Sequence, residues 1–279
     1  MSSILIIDAG ATKTAFTLVD GSAVVCSYKG VGINPNYCSD EAINDVISSF
    51  LKQNKVSHVS HVHYYGAGCA SAENAGRVGC LLQEFFPEAV VSVCSDLMAV
   101  CRALSHNKSS IVAILGTGAA TCQFDGRSVV ARAPSLGYML GDEGSGTYLG
   151  KQLVTAFMRN ELPASLSAEL RKQYNLSFDK AIRRIYSEPS PNLFFSALAP
   201  FVSAHLDDSA MYRLALESFR RFFALQKVCY DESETLPWML SGAVAFNFRE
   251  VVQAAAAEEN CHVQTIVASP MELLVKYHL

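Results

Sequence analysis

Charge is scarce in this sequence. Of its 279 residues only 17% are Asp, Glu, Lys or Arg, and the net charge is -4. Nothing in that balance suggests a nucleic-acid footprint. With 50% hydrophobic residues the chain is also too apolar to be disordered. Long apolar runs are missing. None approaches the roughly 20 residues that a membrane span needs, and the first run is only Ile4 to Ile7. That run follows no basic segment, so it does not read as a signal peptide. No two of the nine cysteines stand at C-x-x-C spacing. An odd, scattered set fits a reducing, cytoplasmic setting and small buried side chains. Low-complexity and Pro/Gly/Ser-rich linker segments are absent as well.

What is present is a repeat. Ile4 to Ile7 reads as a buried strand, followed by Asp8 and the small-residue turn Ala9-Gly10-Ala11-Thr12-Lys13-Thr14. Ala15 to Val19 reads as a returning strand, closed by Asp20-Gly21. The turn thus sits at the tip of a hairpin. A P-loop or dinucleotide fingerprint needs a helix at that point. A bare turn offers backbone N–H groups to an anion, and Asp8 is placed to hold Mg²⁺ through water. The alternative is an ordinary hairpin. The pattern returns at Ile111 to Leu115, Gly116-Thr117-Gly118-Ala119-Ala120, Thr121 to Phe124 and Asp125-Gly126. Two such hairpins predict a duplicated domain.

Between the copies the order reads βββαβαβα. A third strand runs from Ala23 to Tyr28. A helix capped by Ser39 or Asp40 presents Ile43, Val46, Ile47 and Phe50, and a second presents Val78, Leu81, Leu82 and Phe85. Strands are predicted at His58 to Tyr65 and Ala89 to Ser95, and a helix at Leu97 to Leu104. In the first of these strands alternation puts His61 and His63 on one face and His58 on the other. No carboxylate or cysteine joins them at metal-ligand spacing.

Beyond the second hairpin, helices are predicted at Leu149 to Phe157, at Phe194 to His205 and from about Asp208. A strand at Leu236 to Leu240 leads through Gly242-Ala243-Val244 into a helix carrying Ala254 to Ala257. A last strand covers His262 to Ala268. Ser269-Pro270 opens a final helix with proline at its first position.

The ordered set Asp8-Ala9-Gly10-Ala11-Thr12-Lys13-Thr14, Asn34-Pro35, Ser95-Asp96, Gly116-Thr117-Gly118 and Gly141-Asp142-Glu143-Gly144-Ser145 resembles the N-acetylglucosamine kinases and related BadF/BadG-type ATPases of the actin and sugar-kinase superfamily. The resemblance implies an α/β fold of two duplicated ribonuclease-H-like domains flanking an ATP/sugar cleft. Their expected bounds are residues 1–108 with 269–279, and 109–268 with a helical insertion. It implies ATP binding at Asp8, Gly10, Ala11, Thr12, Lys13, Thr14, Gly116, Thr117, Gly118, Gly242, Ala243 and Val244, with Asp8 on Mg²⁺. A sugar site is implied at Asn34, Gly66, Asp96, Leu136, Gly137 and Asp142, with Asp96 as catalytic base. From residue type alone, Asp96 is equally a helix cap and Asn34 a turn residue. Leu136 stands where animal members carry a tryptophan, and Ala9 and Ala11 replace family glycines.

The activity so implied is an ATP-dependent amino-sugar kinase acting on O6 of N-acetylglucosamine. The resemblance also implies a homodimer with a small-molecule sugar as its partner, and with neither nucleic acid nor membrane. Two alternatives are an ATPase that activates a reductase through an iron–sulfur cluster and a non-catalytic sugar-binding protein. Gly141 to Gly150 holds no cysteine to ligate a cluster.

Overall fold

The computed structural model describes every residue except 1, 2, 55 and 57. The chain forms two compact units, Met1–Asn107 with Pro270–Leu279, and Lys108–Ser269.

The first unit opens with β1 (Ser3–Ala9), β2 (Lys13–Asp20) and β3 (Ala23–Val31). Then come α1 (Asp40–Gln53), β4 (His61–Gly66), α2 (Ala72–Phe85), β5 (Val90–Ser95) and α3 (Asp96–Leu104). The sheet order is β3-β2-β1-β4-β5. β1, β2 and β3 pair antiparallel, while β1, β4 and β5 run parallel. Central β1 is apolar on both faces, as a strand covered on both sides must be. Leu5 and Ile7 join Phe16, Ile43, Ile47, Phe50, Val78 and Leu82 in one core, under α1 and α2.

The second unit holds β6 (Ser109–Leu115), β7 (Ala119–Asp125) and β8 (Val129–Arg132), then α4 (Gly137–Leu140) and α5 (Gly146–Met158). Helices α6 (Ala164–Tyr174), α7 (Phe178–Tyr186), α8 (Pro191–Ser196), α9 (Ala199–Ala204) and α10 (Ser209–Lys227) follow. β9 (Trp238–Ser241), α11 (Ala243–Asn247), α12 (Arg249–Glu258) and β10 (Val263–Val267) complete it. Its sheet order, β10-β9-β6-β7-β8, repeats the first in topology: an antiparallel hairpin pair on one side of the central strand, two parallel strands on the other. The core centres on Trp238, packed edge-on to Phe222 and Phe223 at 6.2 and 5.2 Å between ring centroids. The last helix, α13 (Met271–His278), belongs to the first unit and packs on α3 and β1.

The structure corrects several expectations. β4 starts at His61, so His58 lies outside the strand; His61 and His63 do share a face, their rings 6.2 Å apart. Phe194 to His205 is not one helix. It divides into α8 and α9, with Pro200 in the first turn of α9, because proline cannot donate to the preceding turn. The helix after Gly242 also breaks, at Phe248, into α11 and α12. Pro270 caps α13 instead of opening it. Helices α6 and α7 fill the expected insertion; neither was among the predicted helices.

Candidate functional site

In the first unit, three parallel strands end together. Asp8 pairs with Tyr65, and Gly66 pairs with Ala9 on one side and Ser95 on the other. Asp8, Gly66 and Asp96 therefore meet at the carboxyl edge of the sheet, where α/β folds bind ligands. Asp96 is the first residue of α3, not its cap. Ser95 holds the cap position, and the Leu97 amide donates to Asp96 Oδ1 at 2.9 Å. A carboxylate there is favoured by the helix dipole.

Asp8 is half-buried. Burial pushes its carboxyl from 3.8 up to about 6, the charge of Asp96 adds to the rise, and Lys13 opposes it. Two carboxylates thus share one weakly solvated edge. Across from Ala9 at the end of the hairpin, Thr14 is fully buried, and its hydroxyl lacks a hydrogen-bond partner.

The turn between β1 and β2 is closed by the Gly10 amide on the Lys13 carbonyl at 2.9 Å. Ala11, Thr12 and Lys13 are exposed. Neither Ala9 nor Ala11 has a positive φ, so replacing glycine there strains nothing. The glycine this turn does require is Gly32. A Cβ on it would stand 2.4 Å from the Ala11 carbonyl.

Asn34 realises the turn reading, its Oδ1 accepting the Asn36 amide at 3.0 Å. It also closes on the Gly66–Gly68 turn. Gly68 has φ +81, and a Cβ there would lie 2.4 Å from Asn34 Oδ1. Two residues of α2 anchor this loop. Arg77 donates to Asp40 and to the carbonyls of Pro35 and Cys38 at 2.6–2.8 Å. Asn74 donates to Asn36 and to the Gly68 carbonyl.

In the second unit the loop Gly116-Thr117-Gly118 is held from behind by α5. Gly146 donates to the Gly116 carbonyl at 2.8 Å, and both the amide and the hydroxyl of Thr147 donate to the Thr117 carbonyl. Gly242, at φ +122, passes the end of β6 so closely that a Cβ would stand 2.2 Å from the Leu115 carbonyl. Val244 contacts the same helix start, 3.4 Å from where a Gly146 Cβ would be. Gly116 to Gly118 and Gly242 to Val244 are thus brought together around the N-terminus of α5.

Asp142 joins them. Its φ is +59. Its Oδ1 accepts the Ala119 amide at 3.4 Å, and its Oδ2 lies 3.2 Å from where a Gly118 Cβ would be. Burial raises its carboxyl pKa. This candidate sugar ligand therefore rests on the second glycine loop. Leu136 and Gly137 lie at the start of α4, with Leu136 exposed.

Sequence reasoning missed Gly32, Asn74, Arg77, Thr147 and Lys151. Each supports its loop through groups that are not its neighbours in the sequence, which local pattern does not report. Among the described residues no group of three or more His, Cys, Asp or Glu is arranged to hold a metal ion. No helix of the described residues is long and apolar enough to cross a membrane.

The model of the BadF/BadG/BcrA/BcrD ATPase family matches residues 7–197. A protein of Porphyromonas gingivalis proposed to be an N-acetylglucosamine kinase superposes with a TM-score of 0.93 at 32% identity, over 100% of this chain and 98% of that one. A second, from Chromobacterium violaceum and described in the same way, gives 0.76 at 16% identity over 100% and 99%. The ROK-family glucokinase of Streptomyces griseus, solved with glucose and AMPPNP, shares the fold at 0.64 and 16% identity over 98% and 97%. No curated protein sequence matches. The chain belongs to the BadF/BadG/BcrA/BcrD ATPase family.

Proposed function

We propose that this member of the BadF/BadG/BcrA/BcrD ATPase family is an ATP-dependent amino-sugar kinase, acting on O6 of N-acetylglucosamine. The observation that carries the reading is the Asp8–Asp96 pair at the carboxyl edge of the first sheet. Overall similarity to the Porphyromonas gingivalis protein supports the choice of sugar.

In this reading Asp96 is the base. It orients the sugar hydroxyl and accepts its proton as the oxygen attacks the terminal phosphorus. The new O–P bond forms, the bond from that phosphorus to the bridging oxygen breaks, and ADP leaves with the electron pair. Asn34 and Gly66 of the first unit, and Leu136, Gly137 and Asp142 of the second, are assigned to the sugar. The loops at Gly10–Thr14 and Gly116–Gly118 supply backbone donors to phosphate oxygens, and Gly242 to Val244 contact the nucleoside. Most catalysis of phosphoryl transfer is such positioning and charge stabilisation.

Asp8 fits a divalent cation. Its charge is disfavoured by burial and by Asp96, and a cation would relieve both. Mg²⁺ bound there through water would neutralise phosphate charge.

The test is ADP release with N-acetylglucosamine, N-acetylmannosamine, glucosamine and glucose. Turnover highest with N-acetylglucosamine supports the reading, and turnover indifferent to every sugar ends it. The reductase-activating alternative predicts sugar-independent ATP hydrolysis by a protein that takes up an iron–sulfur cluster.

A further inference from the structure

The segment from Leu136 to Asp142 is weakly packed for a stretch that carries three candidate acceptor residues. It takes left-handed backbone at Gly137 (φ +69) and Asp142 (φ +59). Its helix, α4, is four residues long, and Leu136, Met139 and Leu140 are 58%, 75% and 77% exposed. Apolar burial therefore does little to fix it.

Two polar attachments do more. At one end the Asp142 carboxylate rests on the second glycine loop. At the other, Lys151 reaches back from α5 and its Nζ donates to the Tyr138 carbonyl. The stem of Lys151 lines a cavity of about 240 Å³ with Val154, Met158, Ile182, Ile185 and Phe195. Its ammonium lies 5.4 Å from the centroid of the Tyr148 ring. An apolar stem with a lifted charged head is a lysine held in one geometry.

We propose that Lys151 is the positioning residue of the Leu136–Asp142 segment, fixing the Tyr138 carbonyl from α5 and setting the charge beside Asp142. The kinetic consequence rests on the kinase reading; the structural one does not. Asp142 faces Glu143 on its own segment and Lys151 from α5. Arg221 of α10 reaches Glu143 at 3.9 Å, and Glu217 of α10 acts with them on Tyr148. Lys151 is the cation whose charge opposes the rise in the Asp142 pKa. Without it, Asp142 holds its proton to higher pH.

Two measurements test this on the full-length protein. Hydrogen exchange at amides 138–142 should quicken about tenfold in Lys151→Met, the size expected for one lost charge-assisted hydrogen bond. Lys151→Arg should restore protection. In sugar-dependent ADP release, Lys151→Met should raise the sugar KM about tenfold, leave the ATP KM unchanged, and move the acid limb of kcat/KM to higher pH. Unchanged exchange overturns the proposal, and so does quickened exchange with an unchanged sugar KM and pH profile. If the wild type shows no sugar-dependent turnover, the kinase reading fails, and exchange alone decides the role of Lys151. Should Lys151→Met fail to fold, Lys151→Gln carries the same measurements.

Discussion

The two glycine-bearing hairpins share a topology and differ in what stands behind them. The first carries its acid in the strand itself, as Asp8, and its turn is pressed by Gly32. The second has Ile114 at the equivalent position before its turn. Its turn is supported by the start of α5 and the close passage of Gly242, and a carboxylate reaches it from Asp142, outside the hairpin. Duplication preserved the strand order, and the chemistry diverged. One copy gathers carboxylates at a sheet edge, and the other gathers backbone.

Four substitutions sharpen or break that contrast. The largest effect is expected in the first unit. Asp96→Asn removes the proposed base and should lower kcat by about 10²- to 10⁴-fold, with the circular dichroism spectrum and melting temperature little changed. Wild-type kcat in this variant would remove Asp96 from the chemistry.

The second unit should respond in stability instead. Gly242→Ala places a methyl group 2.2 Å from the Leu115 carbonyl at φ +122. Backbone strain alone costs about 1–3 kcal/mol, and the clash adds to it. Urea denaturation should show a loss of about 3 kcal/mol or more. A loss below about 0.5 kcal/mol would mean that Gly242 is not pinned against β6.

Asp8→Asn tests the price of the first copy's acid. Below pH 3.8 the carboxyl is protonated in both folded and unfolded chains. Between 3.8 and about 6 the unfolded chain gives up the proton and the folded one keeps it, so stability falls as pH rises. Above pH 6 the penalty is constant. The variant should thus be more stable than wild type by about 2–3 kcal/mol at pH 7.5, and no more stable at pH 4. Mg²⁺ should raise the melting temperature of wild type and not of the variant. An equal difference at both pH values would contradict a buried, charged Asp8.

The smallest effect lies on the sheet face that Asp8 shares with Tyr65, against α3 and α13. Arg102 donates to the Tyr65 hydroxyl at 2.7 Å, and that hydroxyl is hydrogen-bonded to His278 Nε2 at 2.8 Å. His63 stacks on His278 at 3.9 Å. Burial, with the charges of His63 and Arg102, takes His278 down to about 4. From pH 6.5 down to 4 the unfolded chain therefore binds a proton that the folded one refuses, and stability is lost as pH falls. His278→Gln should remove about 1–2 kcal/mol of that acid sensitivity. An unaltered stability–pH curve would leave His278 without a part in docking α13.

The hairpins were legible because each opens with an uninterrupted apolar run and a small-residue turn, and because an Asp-Gly pair closes the returning strand in both. α1, α2 and α10 were legible from their apolar faces. What sequence could not show was tertiary in origin. Next to the break between α8 and α9, Gly150 lets α5 approach the chain closely: a Cβ there would stand 1.9 Å from the Phe195 carbonyl. α6 buries only Leu166, Ser167 and Leu170, so its pattern is faint; α7 does carry an apolar stripe, Phe178, Ala181, Ile182, Ile185 and Tyr186, a signal that could have placed it. At the site, Asp8 and Asp96 were legible as strand-end acids. Arg77, Asn74 and Lys151 were not, because they bond to carbonyls that any sequence provides.

The central claim is that the shared edge of Asp8 and Asp96 serves phosphoryl transfer to a sugar. ³¹P NMR of the wild-type protein with ATP, Mg²⁺ and N-acetylglucosamine tests it most directly. A phosphomonoester resonance coupled to the C6 protons should appear and grow in step with ADP. Inorganic phosphate accumulating with ADP, and no sugar phosphate, would contradict it.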